Sequence, residues 1–214
     1  MRYKGILIPA QNRVTPYGEI VSCHEKGLLM GNRGELRVDD QRQLIGLSRW
    51  KGPSWLYCST DKKFTPKPGD KPLKYTPLFF RDEYTALAAG HRPCGYCFPE
   101  RFEAFVSAWT VGNPEYGYGK YDIKKIDNVL HGERKYSNRS KKTYPEKLAN
   151  LPDGVIVTLD VASGESYLVQ DKALKQWSPL GYVPIHSQNL VTEVLVLTPQ
   201  SVVNAIRKGF RIEV

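Results

Sequence analysis

TPLFFRDEYTALAAGHRPCGYCF, residues 76–98, decides how the chain is read. Residues 77–80 predict a short aromatic strand, and 82–89 predict an Ala-rich helix that Gly90 stops by taking the left-handed conformation. A tight turn then presents Cys94 and Cys97 at Cys-x-x-Cys spacing. Two thiolates so spaced close a chelate ring on one soft cation, the arrangement that zinc knuckles use.

Around that stretch the chain has 214 residues, enough for one sizeable domain or two small ones. Its 31 Lys and Arg against 22 Asp and Glu give a net charge of +9, which suits a polyanionic partner such as DNA. No apolar run approaches the ~20 residues of a membrane span, and no signal peptide is visible, so a cytoplasmic protein without membrane contact is expected. In that setting the four cysteines read as reduced thiols, some of them on a metal, rather than as two disulfides.

Taken in order, 5–9 and 19–22 predict short strands separated by a turn at 12–18. The glycine-flanked loop 30–34 carries Asn32 and Arg33, side-chain types that grip phosphates and base edges; a plain hairpin turn before a strand at 35–38 explains it somewhat better. An aromatic and basic run, 50–58, delivers Cys58 at a strand end, and 62–74 is a Pro/Lys-rich loop. Residues 99–109 predict a helix with Phe102, Phe105, Val106 and Trp109 on one face. A second amphipathic helix, 122–134, buries Ile123, Ile126 and Leu130 and sets Asp127, His131 and Arg134 on an adjacent stripe, with Glu133 near its end. The segment 135–147 reads as a basic loop. Beyond 151 the texture is β-rich: strands at 154–160, 166–169 and 191–197, a helix at 199–208 capped by Thr198, and a last strand at 210–214. The expected fold is α+β, with a mixed unit at 1–148 and a small β-rich unit at 149–214.

The aromatic strand, the Ala-rich helix and the run Ala-Gly-His-Arg-Pro-Cys-Gly-Tyr-Cys together resemble the zinc-binding N-terminal domain of the Ada DNA-repair family, over residues 55–99. A wider set of segments, 12–19, 30–34, 75–97 and 127–134, is similar to a group of small bacterial proteins bearing the same motif. The Ada resemblance implies a zinc element at about 50–110, held by Cys58, Cys94 and Cys97. Where the family has a second cysteine in its first half-site, this chain has Ser59 and Thr60, so Cys23 is expected as fourth ligand, with His24 and His91 as alternatives. The plainer reading makes Cys23 and Cys58 buried thiols with no metal. In the family one zinc-bound cysteine accepts a methyl group from DNA; half of that pair is missing here, which favours a knuckle that presents DNA-contacting residues.

Three chemistries compete. Removal of a modified base from DNA needs a carboxylate, a His or Asn to position water, and a basic surface. Asp127, His131, Glu133 and Asn32 are the candidate catalytic residues; Arg13, Arg33, Lys51, Arg92, Arg134, Lys135, Arg139, Lys141 and Lys142 are the candidate DNA contacts. An ordinary surface helix with intrahelical ion pairs explains the same carboxylates. A zinc deaminase would use His131-Gly132-Glu133 with Pro93-Cys94-Gly95-Tyr96-Cys97, but the two halves stand in reversed order. A non-catalytic or methyl-accepting DNA binder is the third reading, with a nuclease also open. Base removal, a DNA glycosylase reaction, is the expectation adopted.

Overall fold

A computed structural model describes residues 9–46, 48–61, 75–185 and 192–213. Among the described residues, two six-stranded sheets and four α-helices make up an α+β fold. In the first sheet β1 (Gln11–Val14), β2 (Ile20–Ser22), β3 (Leu29–Asn32), β4 (Leu56–Ser59), β5 (Leu78–Phe80) and β6 (Arg92–Pro93) run in the order β2-β1-β5-β3-β4-β6. In the second, β7 (Tyr144–Lys147), β8 (Ile156–Thr158), β9 (Tyr167–Gln170), β10 (Ala173–Ser178), β11 (Gly181–Pro184) and β12 (Glu193–Val196) run in the order β11-β10-β9-β8-β12-β7.

Helix α1 (Glu83–Ala88) lies between the sheets, which explains its composition. Ala86 and Leu87 join the core of the first sheet, while Ala88 packs with Ile156, Leu168 and Leu197 of the second. Only small side chains let a helix touch both layers closely. Asp82 caps its N-terminus by accepting from the Thr85 N–H, and Gly90, at φ +84°, turns the chain into β6. Hydrogen bonds tie the second sheet to the same helix: the Trp177 indole N–H donates to Thr85 Oγ1 (3.0 Å) and the Tyr182 hydroxyl to Asp82 Oδ1 (3.1 Å).

The longer helices are α2 (Pro99–Gly112), α3 (Ile123–Arg134) and α4 (Gln200–Arg207). Phe105, Val106 and Trp109 of α2 and Ile126 and Leu130 of α3 are fully buried in the core, as their spacing predicts. α4 crosses close to α2, where Gly112 faces the backbone of Asn204.

Several expectations change. Residues 12–14 belong to a strand, not a turn, because β1 fills the place between β2 and β5 and buries Val14; the turn is confined to 15–18. Instead of a strand at 35–38, a single bridge pairs Val38 with Leu44. Residues 210–213 form no strand: Phe210 is buried against Phe105, and Arg101 and Glu83 hold the backbone at Arg211 and Glu213. Thr198 does not cap α4; its hydroxyl accepts from the Ile156 N–H, and Glu133 accepts from the Ser201 N–H at that helix start instead. The basic loop after 134 is a tight hairpin leading into β7, which precedes residue 149 yet pairs with β12 of the second sheet. Of the strand expected at 5–9, residues 5–8 lie outside the described residues and Pro9 is not in a strand; the loop expected at 62–74 also lies outside them.

A methyl group built on Gly112 would sit 2.7 Å from the Asn204 carbonyl oxygen. Gly112→Ala is therefore expected to destabilise the fold by about 1–3 kcal/mol, opposite in sign to the usual helical gain of alanine over glycine. Denaturant unfolding of the two proteins measures it.

Candidate metal centre

The parallel pairing of β4 with β6 sets the sulfur geometry. Leu56 aligns with Arg92 and Tyr57 with Pro93, and the Cys94 N–H donates to the Tyr57 carbonyl at 3.0 Å, so Cys58 at the end of one strand meets the Cys94–Cys97 turn at the end of the other. The sulfurs of Cys58, Cys94 and Cys97 all lie within 4.8 Å of one another. Bonds of ~2.3 Å around a tetrahedral zinc separate two sulfurs by ~3.8 Å, so the three fit one ion with small adjustment. Cys58 is buried and the other two are half-buried.

The three thiols do not titrate alike. The hydrogen bond from Cys58 pulls Cys94 down to about 5 against the opposing effect of burial, with the Cys97 and Tyr96 backbone helping. Donating that bond, and burial, push the Cys58 thiol well up. Burial, together with the charge on Cys94, raises Cys97. A thiolate already formed at neutral pH is the species a soft metal takes first.

Cys23 is not in the cluster. It follows β2, at the opposite edge of the sheet from β6, and lines a shallow groove with Arg13, Phe79 and Trp177. His91 is also elsewhere: it is fully buried beside Trp55 and Phe80 and accepts a hydrogen bond from Arg33. Among the described residues no further His, Cys, Asp or Glu joins the three cysteines.

The expected catalytic residues are not gathered into one open constellation. Asp127 is buried and receives both Nε (2.7 Å) and Nη2 (2.8 Å) of Arg92 and the Ser54 hydroxyl (2.6 Å). Glu133 accepts from the Ser201 N–H and hydroxyl; burial outweighs those bonds and raises its carboxyl above the ordinary range. Asn32 Oδ1 accepts from the Gly34 N–H, a local turn bond. His131 is half-buried, its ring 5.9 Å from Trp50 and 6.1 Å from Trp55, and burial and Arg134 lower its basicity.

The expected DNA contacts also divide. Lys51 and Arg139 are exposed, and Arg13, Lys135 and Lys142 are half-buried. Arg33, Arg92, Arg134 and Lys141 turn inward. Arg33 and Arg134 lie over the buried Trp55 ring, with Cζ 3.9 and 4.5 Å from its centroid. Trp55 was legible only as part of an aromatic run, since nothing in a sequence tells which tryptophan of 50–58 is the one at zero exposure.

Set against protein-family models, curated proteins and solved structures, the chain matches none.

Two outcomes are expected. Cys23→Ser should keep the metal content of the parent, about one ion per chain, whereas Cys58→Ser or Cys94→Ser should lose it; elemental analysis of each purified protein decides. Burial, then the charges of Arg33 and Arg134, hold His91 well below its ordinary pKa of 6.5. The unfolded chain therefore takes up a proton that the folded chain refuses, and stability should fall as pH drops below about 6.5, by up to about 1.4 kcal/mol per pH unit. His91→Gln should lose that share of the slope in unfolding curves recorded with excess metal.

Proposed function

We propose that the protein is a zinc-thiolate protein that works by binding nucleic acid, as its resemblance to the Ada DNA-repair domain implies. The cluster of three sulfurs within 4.8 Å carries the metal half of this reading. An all-thiolate donor set of this size favours zinc, and the reduced thiols suit a cytoplasmic setting. The nucleic-acid half is supported by the net charge of +9 and by the basic side chains that reach solvent: Lys51, Arg139, Arg13 and Lys142.

Base removal is the less supported version. It needs a carboxylate facing the sugar or a water. Asp127 is occupied by Arg92 and Ser54, and Glu133 by the start of α4. Breaking a buried pair such as Asp127–Arg92 costs about 3–5 kcal/mol, so its loss reports on stability before it reports on chemistry.

Fluorescence anisotropy of the metal-loaded protein with plain and base-modified DNA tests the reading. Affinity should fall with salt with a log–log slope of about −0.9 per phosphate neutralised on duplex DNA, and Lys51→Gln and Arg139→Gln should each reduce the slope by about 1. Absence of binding at low salt would remove the nucleic-acid half. Release of free base from the modified strand would instead restore the glycosylase reading.

A further inference from the structure

Four cations cluster where the turn 15–18, the end of α1 and the end of α3 meet, and backbone carbonyls hold them. Arg33 donates through Nη1 to the Gly18 carbonyl (2.8 Å), Arg134 to those of Gly90 and Pro53 (both 2.6 Å), Lys135 to Tyr17 (3.1 Å) and Lys141 to Ala88 (2.6 Å). Among the described residues none of the four is in an ion pair. The nearby carboxylates have other duties: Asp127 neutralises Arg92, Glu133 serves α4, and Glu19 is exposed.

A carbonyl satisfies a donor but does not cancel its charge. Asp127 and Glu133 offset part of the charge on Arg134, Glu133 part of that on Lys141 and Glu19 part of that on Lys135, but none bonds these cations and Arg33 has no carboxylate acting on it, so a net positive field remains inside the fold. The unpartnered atoms have one chemical character. Arg33 Nη2 and Arg134 Nη2 belong to side chains about 1% exposed and have no hydrogen-bond partner. His91 Nε2 accepts from Arg33, so its proton sits on Nδ1, which has the Ala86 carbonyl beside it. Two buried guanidinium donors with no acceptor suit an acceptor-only ligand, an oxyanion.

Position narrows the ligand. Arg33 Nη2 and the Lys135 stem converge on Gly18, each within 3.8 Å of where a β-carbon would stand. Lys135 is half-buried, so this end of the cluster reaches solvent. Trp50, also half-buried, lies 5.6 Å from Trp55 and 5.9 Å from His131, ring to ring. Trp50 thus flanks the Arg134 side of the cluster, where that guanidinium lies over Trp55 and 3.4 Å from His131 Nδ1, and such an aromatic face suits a base stacked next to its own phosphate. An internal phosphodiester carries one charge and is flanked by sugar on both sides; a terminal phosphate carries nearly two and presents three free oxygens.

We propose that Arg33, Arg134 and Lys135, with Trp50 beside them, bind a phosphate monoester dianion such as the terminal phosphate of a nucleotide or strand end. This deepens the nucleic-acid reading by naming the group gripped, and rests on that reading only for the source of the phosphate.

The metal-loaded full chain is titrated with inorganic phosphate, a nucleoside 5′-monophosphate, and matched 5′-phosphorylated and 5′-hydroxyl single strands, sodium chloride holding the ionic strength constant. Inorganic phosphate should raise the melting temperature above the chloride control, and the phosphorylated strand should bind about tenfold or more tightly than its hydroxyl twin. Lys135→Met, at a half-buried position, should weaken phosphate binding about tenfold at a melting temperature that, without phosphate, stays near the parent's, and Arg33→Gln should weaken it likewise. Phosphate binding with no preference for the phosphorylated strand keeps the site and assigns it a free phosphate or mononucleotide. Phosphate binding with no DNA affinity at all keeps the site and removes the nucleic-acid reading. Salt-sensitive DNA binding that ignores both inorganic phosphate and the 5′ end overturns the site and leaves that reading standing. Unchanged phosphate affinity in Lys135→Met also overturns it.

Discussion

Arg134 against Gly90 is the contact on which the architecture depends. The guanidinium reaches from the last residue of α3 to the carbonyl that follows α1, and on to Pro53 before β4, so three segments distant in sequence are pinned by one side chain. It fits only because Gly90 has no side chain: a β-carbon there would lie 2.5 Å from Arg134 Cγ and 2.8 Å from Nε. The same glycine needs its positive φ to end the helix. Two independent requirements, a left-handed turn and a close approach, therefore fall on one residue. The stem of Arg134 packs while its head bonds, which is how so long a side chain can be a core element.

That use of Arg134 explains why the polar stripe of α3 is not a surface feature. Helix α3 is wedged between the end of α1 and the start of α4, so its polar face meets protein as its apolar face does. Each polar residue on it answers a local need: Asp127 receives the Arg92 fork, Glu133 takes the orphan N–H of α4, and Arg134 serves the end of α1. The i, i+4, i+7 spacing correctly grouped Asp127, His131 and Arg134 on one side of the helix. What lay against that side is a tertiary fact, and periodicity carries no information about it.

The same distinction separates what was legible in the chain from what was not. The strand, helix and glycine stop of residues 78–90 follow from local chemistry: an aromatic run, an Asp cap and a left-handed glycine. Helices α2 and α3 follow from the spacing of Phe105, Trp109, Ile126 and Leu130. The pairing of Cys58 with Cys94 and Cys97 was reachable through the family resemblance, since no spacing rule links residues so far apart. Cys23 was misplaced because strand order is not written locally: β1 and β2 pair beside β5, which carries Cys23 to the far edge. The hairpin of β9 and β10 was missed because Asp171 and Lys172 turn the chain with positive φ where Gly or Asn would have announced it. The inward turn of Arg33 and Lys141 could not be read at all, because basic residues in a basic chain look alike until something covers them.

Metal centre and cation cluster are two ends of one strand pair. At one end Arg92 donates its N–H to the Trp55 carbonyl (3.1 Å), and His91 packs its ring against the Trp55 ring; three residues along, Cys58 meets Cys94. At ~3.3 Å per residue the two sites are about 10 Å apart. Only two pairs of residues define the β4–β6 register, and so short a ladder is weakly specified by its backbone alone. A metal held jointly by Cys58 and the 94–97 turn fixes that register from one end. A slip of one residue would move Trp55 away from His91 and Arg33 and scatter the carbonyls that hold the cations. The cysteine triad at one end of the ladder and the charge concentration at the other are thus mechanically linked: a metal on the three sulfurs would supply rigidity where the sheet has least of its own, and that rigidity would keep the like charges together.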